Sequence, residues 1–213
     1  RSPSRGLGDV YKRQVRAGWL FFFQFVINLS APHLFEPWTP GVLSLMGLLV
    51  LIEPAWRPLF QTSKSAKRSF ATVVLLTFFL SVPLSPYQGP SVWESRIDTP
   101  NIVWLMKHLT LTGLYPLFPW IVFCFFGTFV ASQNNDDKHK GLLTIFTMGL
   151  VVSIAVLAIS TSRGEVWALP TGDAALTFFP ANAPFLIAAL TGVALLWWIC
   201  LLYTSDAADD TPC

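Results

Sequence analysis

Gly141 to Ser160 reads GLLTIFTMGLVVSIAVLAIS, twenty residues without a charge. A helix of roughly 20 mainly apolar residues crosses a hydrocarbon core of about 30 Å, so this stretch predicts a membrane span. Outward from it, five further windows have the same character: Ala17 to Phe35, Gly41 to Phe60, Ser69 to Leu84, Leu111 to Ser132 and Pro184 to Ile199. The third is short and extends into Ser85-Pro86. Apolar residues occur on all sides of these segments, as expected where lipid is the solvent. The alternation of a membrane β-barrel is absent. The expected fold is all-α, a polytopic bundle of about six spans.

Composition agrees. Of 213 residues, 53% are apolar and 12% charged, about half the charge of a soluble domain, with a mean hydropathy of +0.55. A net charge of +2 is too small to imply a polyanionic partner, so a nucleic-acid-binding or disordered chain is excluded.

The two ends differ from the interior. Ser4 to Gln14 (SRGLGDVYKRQ) and Cys200 to Asp210 (CLLYTSDAADD) look like in-frame translations of transposase adapters from library preparation. Residues 1–14 and 200–213 are therefore read as adapter-derived, and 15–199 as the native helical domain, a fragment of a longer gene. The adapter-like ends hold four of the 14 basic and four of the 12 acidic residues, so the net charge stays +2 without them. Cys200 and Cys213 fall in the C-terminal segment. Cys124 alone remains, inside an apolar run, and no disulfide framework or metal site follows.

The connections set orientation. Arg16, Arg57, Lys64, Lys67, Arg68, Lys138 and Lys140 fall on one side of the expected membrane; Arg96, Lys107 and Arg163 fall on the other. The positive-inside rule puts the first group in the cytoplasm. The long outer connections are Ser85 to Thr110 and Thr161 to Ala183. Trp38, Trp93, Trp104 and Trp167 lie in or beside outer loops, where an indole rests at headgroup level.

Few residues carry chemistry. Glu53, in LVLIEPAW, is ionisable within a span and so a functional candidate; its ordinary alternative is a pair with Arg57 one turn on. Pro54 removes a backbone donor there and opens room for a polar pocket. His33 and His108 sit at the outer interface, where a histidine acts as general base or acyl carrier or simply as a hydrogen-bonding residue. Glu36 follows His33 by three, but Pro32 and Pro37 spoil helical register. Glu94, Arg96, Asp98, Arg163, Glu165 and Asp173 are outer-loop charges able to line a sugar pocket; solvated loop charge is the plainer reading. His139, in NNDDKHK, lies in an inner connection. There is no Gly-rich phosphate loop, HExxH or GxSxG. The substrate-binding candidates are Glu53, His108, Trp120 and Arg163.

Gly113 to Trp120 (GLYPLFPW) opens the fourth span with two prolines three apart, which bend it. Gly127 and Ala131 form a small-xxx-small pair suited to close helix approach. The run Pro116 to Trp120 continuing to Gly127 resembles the catalytic-domain family of heparan-alpha-glucosaminide N-acetyltransferase and its bacterial members. Phe179-Pro-Ala-Asn-Ala-Pro-Phe-Leu186 leading to Gly192, and Arg16 followed by Gly41-Val-Leu-Ser-Leu-Met-Gly47, are further points of resemblance.

The resemblance implies a multi-pass enzyme, in a bacterial inner membrane, that moves an acetyl group from cytosolic acetyl-CoA to an amino sugar or similar glycan. It implies no metal. The family's Asp-x-x-Arg-Gly opening and catalytic histidine are expected upstream of Val15, with about two further helices, so neither His33 nor His108 inherits that role. The fragment alone is expected to be inactive. A multi-pass permease, with Glu53 and proline-broken spans at a midplane site, is the alternative; a non-catalytic membrane scaffold is a third reading.

The topology makes a direct prediction. In a background lacking Cys124, Cys200 and Cys213, Lys64→Cys and Lys138→Cys label with a membrane-impermeant thiol reagent from one face and Asp173→Cys from the other. Labelling of Lys64→Cys and Lys138→Cys from opposite faces contradicts it.

Overall fold

The computed structural model describes residues 3–209. Residues 1–2 and 210–213, the outermost parts of the adapter-like ends, with Asp210 and Cys213, lie outside the described residues. The order is α1 (Pro3–Ser30), α2 (Val42–Trp56), α3 (Ser63–Leu84), α4 (Glu94–Ile97), α5 (Ile102–Lys107), α6 (Leu117–Ala131), α7 (Asn135–Ser162), β1 (Ala168–Thr171), β2 (Leu176–Phe179) and α8 (Ala183–Asp209). 3-10 turns at Arg57–Phe60 and Ser85–Tyr87 continue α2 and α3, and a π-helical turn at His108–Thr112 continues α5.

Among the described residues, four helices are long and apolar enough to cross a membrane: Val42–Phe60, Lys64–Tyr87, Asp136–Ser162 and Ala183–Tyr203. The pair Ile102–Thr112 and Leu117–Ala131, bent by 53°, makes up to five. These spans make the chain an integral membrane protein.

The expected count of six is not met among the described residues, for two physical reasons. The window Ala17 to Phe35 stops being helical at Ser30, where Ala31-Pro32 follows; the residue before a proline disfavours the α region. The helix also carries buried Gln24 and Asn28. The window Leu111 to Ser132 begins at the end of the π-helical turn, breaks at residues 113–116 and becomes helical again only at Leu117, with Phe118 non-helical (φ −98°, ψ 126°). The expected bend is therefore present, and sharper than a kink.

The fold is mostly helical, with a two-stranded parallel ribbon in the last outer connection pairing Ala168 with Leu176 and Thr171 with Phe179.

The core gathers on α6. Val122, Phe125, Phe126, Phe129 and Val130 are buried. Phe125 meets Trp56 at 5.4 Å and Phe60 at 5.5 Å between ring centroids, and Phe129 stacks on Phe70 at 4.9 Å. Aromatic pairs at these spacings add about 0.5–1.5 kcal/mol each beyond burial. α8 closes the other side with Leu186, Leu190 and Ala194. α7 packs chiefly on α8, where Gly149 lies against Thr191. Only 6% of its most apolar window is buried in protein. The anticipated close approach at Gly127 does not occur: a Cβ there would meet nothing within 4 Å.

The two ends of the bundle, named inner and outer after the expected orientation, are held by different bonds. At one end a capping box starts α3: the Ser65 amide donates to Thr62 Oγ1, and the Thr62 amide to Ser65 Oγ, both at 3.2 Å. Lys67 then pairs with Asp137 at 3.4 Å across to α7. That contact puts the connections bearing Lys64 and Lys138 together.

At the other end Asn28 Nδ2 donates to the Pro37 and Thr39 carbonyls at 3.0 and 2.8 Å. Its Oδ1 accepts from Gln24 Nε2 at 2.9 Å, while Gln24 Oε1 accepts from the Leu43 amide at 3.2 Å. Thr39 Oγ1 donates to the Ile97 carbonyl at 2.7 Å, and the Thr99 amide to Glu36 Oε2 at 2.8 Å. The loop between α1 and α2 is thereby strapped to the α4 segment.

Asn28→Leu removes both loop bonds and leaves buried carbonyls unpaired, a loss of about 1–3 kcal/mol. Thermal unfolding in mild detergent should show a lowered melting temperature; an unchanged one would contradict the strap.

Candidate functional site: an arginine-centred outer cap

The outer connections converge on Arg96. The segment PSVWESRID places Glu94 and Asp98 two residues to either side of it, a spacing that does not face a helical neighbour. Both carboxylates stay exposed while the guanidinium turns inward, 2% exposed. There Nη1 donates to the Thr112 and Gly113 carbonyls, each at 3.1 Å. Nη2 donates to the Gln88 and Gly89 carbonyls at 3.2 and 3.4 Å. Gly89 has φ +77°, a left-handed conformation natural to glycine. The Phe179 ring centroid lies 6.0 Å from Arg96 Cζ.

One side chain thus ties the end of α3, the π turn and the β2 end. Burial pushes the Arg96 guanidinium below its ordinary pKa, since desolvation disfavours the charged form.

His108 completes the seam. Fully buried, it is 2.8 Å from the Asp98 carbonyl through Nε2 and 2.8 Å from Thr112 Oγ1 through Nδ1. A carbonyl only accepts, so Nε2 carries the proton, and in the neutral ring Nδ1 accepts from the Thr112 hydroxyl. Both nitrogens are engaged in holding the loop.

Trp120, one turn into α6, faces Tyr115 and Phe178, each at 5.2 Å between centroids, and Phe185 at 6.2 Å. The stretches Pro116–Trp120 and Phe179–Leu186 therefore stand against each other. Their Phe118-Pro119 and Phe179-Pro180 bonds are both cis. Asn182 fixes the second stretch: Oδ1 accepts from the Thr177 and Phe185 amides, and Nδ2 donates to the Ala175 carbonyl. Trp120, Phe178, Phe179, Pro119, Gln88 and Arg96 line a cavity of about 10 Å³, room for about one water. An amino sugar does not fit there.

Two open grooves lie elsewhere. On the outer side Trp38, Thr99, Asn101, Ile102 and Leu105 border one of about 330 Å³. On the inner side Arg13, Pro54, Arg57, Pro58 and Gln61 border one of about 530 Å³, with Arg13 belonging to the adapter-like segment.

The four substrate-binding candidates separate. His108 lies in the seam of the cap, against Asp98 and Thr112, and Trp120 in the aromatic cluster with Tyr115, Phe178 and Phe185. Glu53 lies at the inner end of α2, paired with Arg57 at 3.8 Å and Arg13 at 3.3 Å. Arg163 is exposed at the end of α7 and pairs with Glu165 at 3.7 Å. Arg96, read from sequence as an outer-loop charge able to line a sugar pocket or simply solvated, instead holds backbone carbonyls from two segments, a role set by tertiary partners. The part of Gln88 carried no sequence signal. Among the described residues no group of three or more His, Cys, Asp or Glu side chains could hold a metal ion.

Arg96→Lys keeps the charge but cannot reach four carbonyls from one ammonium. A loss on the order of 2–3 kcal/mol and faster proteolytic cleavage within residues 85–113 are expected in detergent. Unchanged stability and cleavage would show that the clamp is not holding the loop. The sequence matches no family model, no curated protein and no solved structure.

Proposed function

We propose that this chain is part of a multi-pass membrane acyltransferase, acting in a bacterial inner membrane, that transfers acetyl from cytosolic acetyl-CoA to an amino sugar or related glycan. In this reading α1 supplies a sixth crossing beside the four long helices and the bent pair. The single observation that carries it is the contact between Trp120 and Phe185, at 6.2 Å between ring centroids. It joins the two aromatic–proline stretches on which the family resemblance rests.

The grooves suit the division of labour such an enzyme needs. The outer groove offers the Trp38 ring, 64% exposed, beside Thr99 and Asn101, a face on which a sugar ring stacks. The inner groove offers Arg57 and Gln61 to a phosphorylated donor. The permease reading has less support, because the Glu53 carboxylate is already ion-paired with Arg57 one turn on.

The test is acetyl transfer from radiolabelled acetyl-CoA to glucosamine in membranes expressing this chain together with its upstream coding region. Transfer is expected, and Trp120→Ala should reduce it at least about tenfold, roughly 1.4 kcal/mol of barrier, at equal membrane abundance. No transfer, or an upstream region lacking a transmembrane Arg-Gly and histidine pair, would contradict the proposal.

A further inference from the structure

The cap encloses donors that its own carbonyls do not use. Arg96 Nε and Gln88 Nε2 are buried and have no protein partner. Their residues are 2% and 4% exposed, and both line the cavity of about 10 Å³ beneath Trp120 and Phe179. No carboxylate lines that cavity, and Arg96 forms none of the ion pairs among the described residues. A buried cation without a counter-charge costs several kcal/mol. The four carbonyl dipoles and the Phe179 face offset part of that cost, and they leave the net charge standing.

We propose that Arg96 Nε and Gln88 Nε2 hold one monoatomic anion, a halide of the chloride class, in this cavity. Size restricts the ligand first: room for about one small sphere excludes sulfate, phosphate and organic carboxylates. Charge decides between the two species that fit. A water would accept from both donors but bring no counter-charge, and it would need acceptors for its own protons. The lining carbonyls of Gln88 and Gly113 have each given one of their two lone pairs to Arg96, and most of the remaining lining is Leu, Pro and aromatic. A halide accepts from both N–H groups, neutralises Arg96 and donates nothing. The bound ion would make assembly of the outer connections depend on chloride, whatever reaction the protein carries.

The experiment uses the full chain in lipid nanodiscs, with chloride as the probe and gluconate, too large for the cavity, as the replacement at constant ionic strength. Labelled chloride should bind saturably at one ion per chain. The melting temperature should rise with the logarithm of chloride concentration above the dissociation constant. Gln88→Leu, which keeps the Arg96 clamp and removes one donor, should weaken chloride binding about tenfold. Equal melting in chloride and gluconate, without saturable binding, would overturn the proposal in favour of a water. A chloride effect equally large in Gln88→Leu would overturn it as a general salt effect.

Discussion

Hydrocarbon offers no hydrogen bonds, and each backbone amide left unpaired in it costs several kcal/mol. That constraint sorts the molecule. The middle is helix, filled by the rings around α6 and otherwise turned toward lipid, as α7 shows by packing along α8 while only 6% of its most apolar window is buried. Irregular backbone is pushed to the two ends, where polar groups must satisfy it. At the inner end the work is done by basic side chains and a capping box. At the outer end the connections are too long to solvate loosely, and they close on themselves through side chains that each serve several backbone groups.

Arg96 and Asn28 do this, as does the half-buried Asn182, and His108 links a backbone carbonyl to a hydroxyl. Asn28 holds the loop between α1 and α2, His108 joins Asp98 to the π turn, and Arg96 reaches four carbonyls from two separate segments. These three are buried, so each bond is made in a low-dielectric setting where leaving it unmade is costly. The Trp120 cluster sits beneath this seam and packs the bent entry of α6 against the turn before α8. Rigidity at the outer end therefore rests on polar bonds above and aromatic contacts below.

Much of this was legible from residue patterns. Charge-free runs gave the end of α3, the body of α7 and the start of α8, while α3 and α7 begin six residues earlier and α8 runs ten residues past Ile199; the continuation of α3 into Ser85-Pro86 is present as a 3-10 turn. The prolines at 116 and 119 announced the bend. The pair between Glu53 and Arg57 followed from helical spacing. What was illegible depended on tertiary partners. Gln24 and Asn28 look like flaws in a span until the loop they hold is seen. Arg96 looks like solvated loop charge until carbonyls from residues 88–89 and 112–113 surround it. Gly127 promised a close helix approach, and Gly149 provides one, because contact between helices is set by which faces meet and not by the local motif.

Hydrogen–deuterium exchange in lipid nanodiscs tests most directly whether lipid is the medium on which this architecture depends. Residues 141–160 in α7 pack on protein chiefly along α8 and are otherwise little buried, so lasting protection of their amides along the whole helix depends on the bilayer. The account predicts strong protection there in nanodiscs over hours, equal to that of residues 122–130 in α6. Rapid exchange along α7 with α6 protected would contradict it.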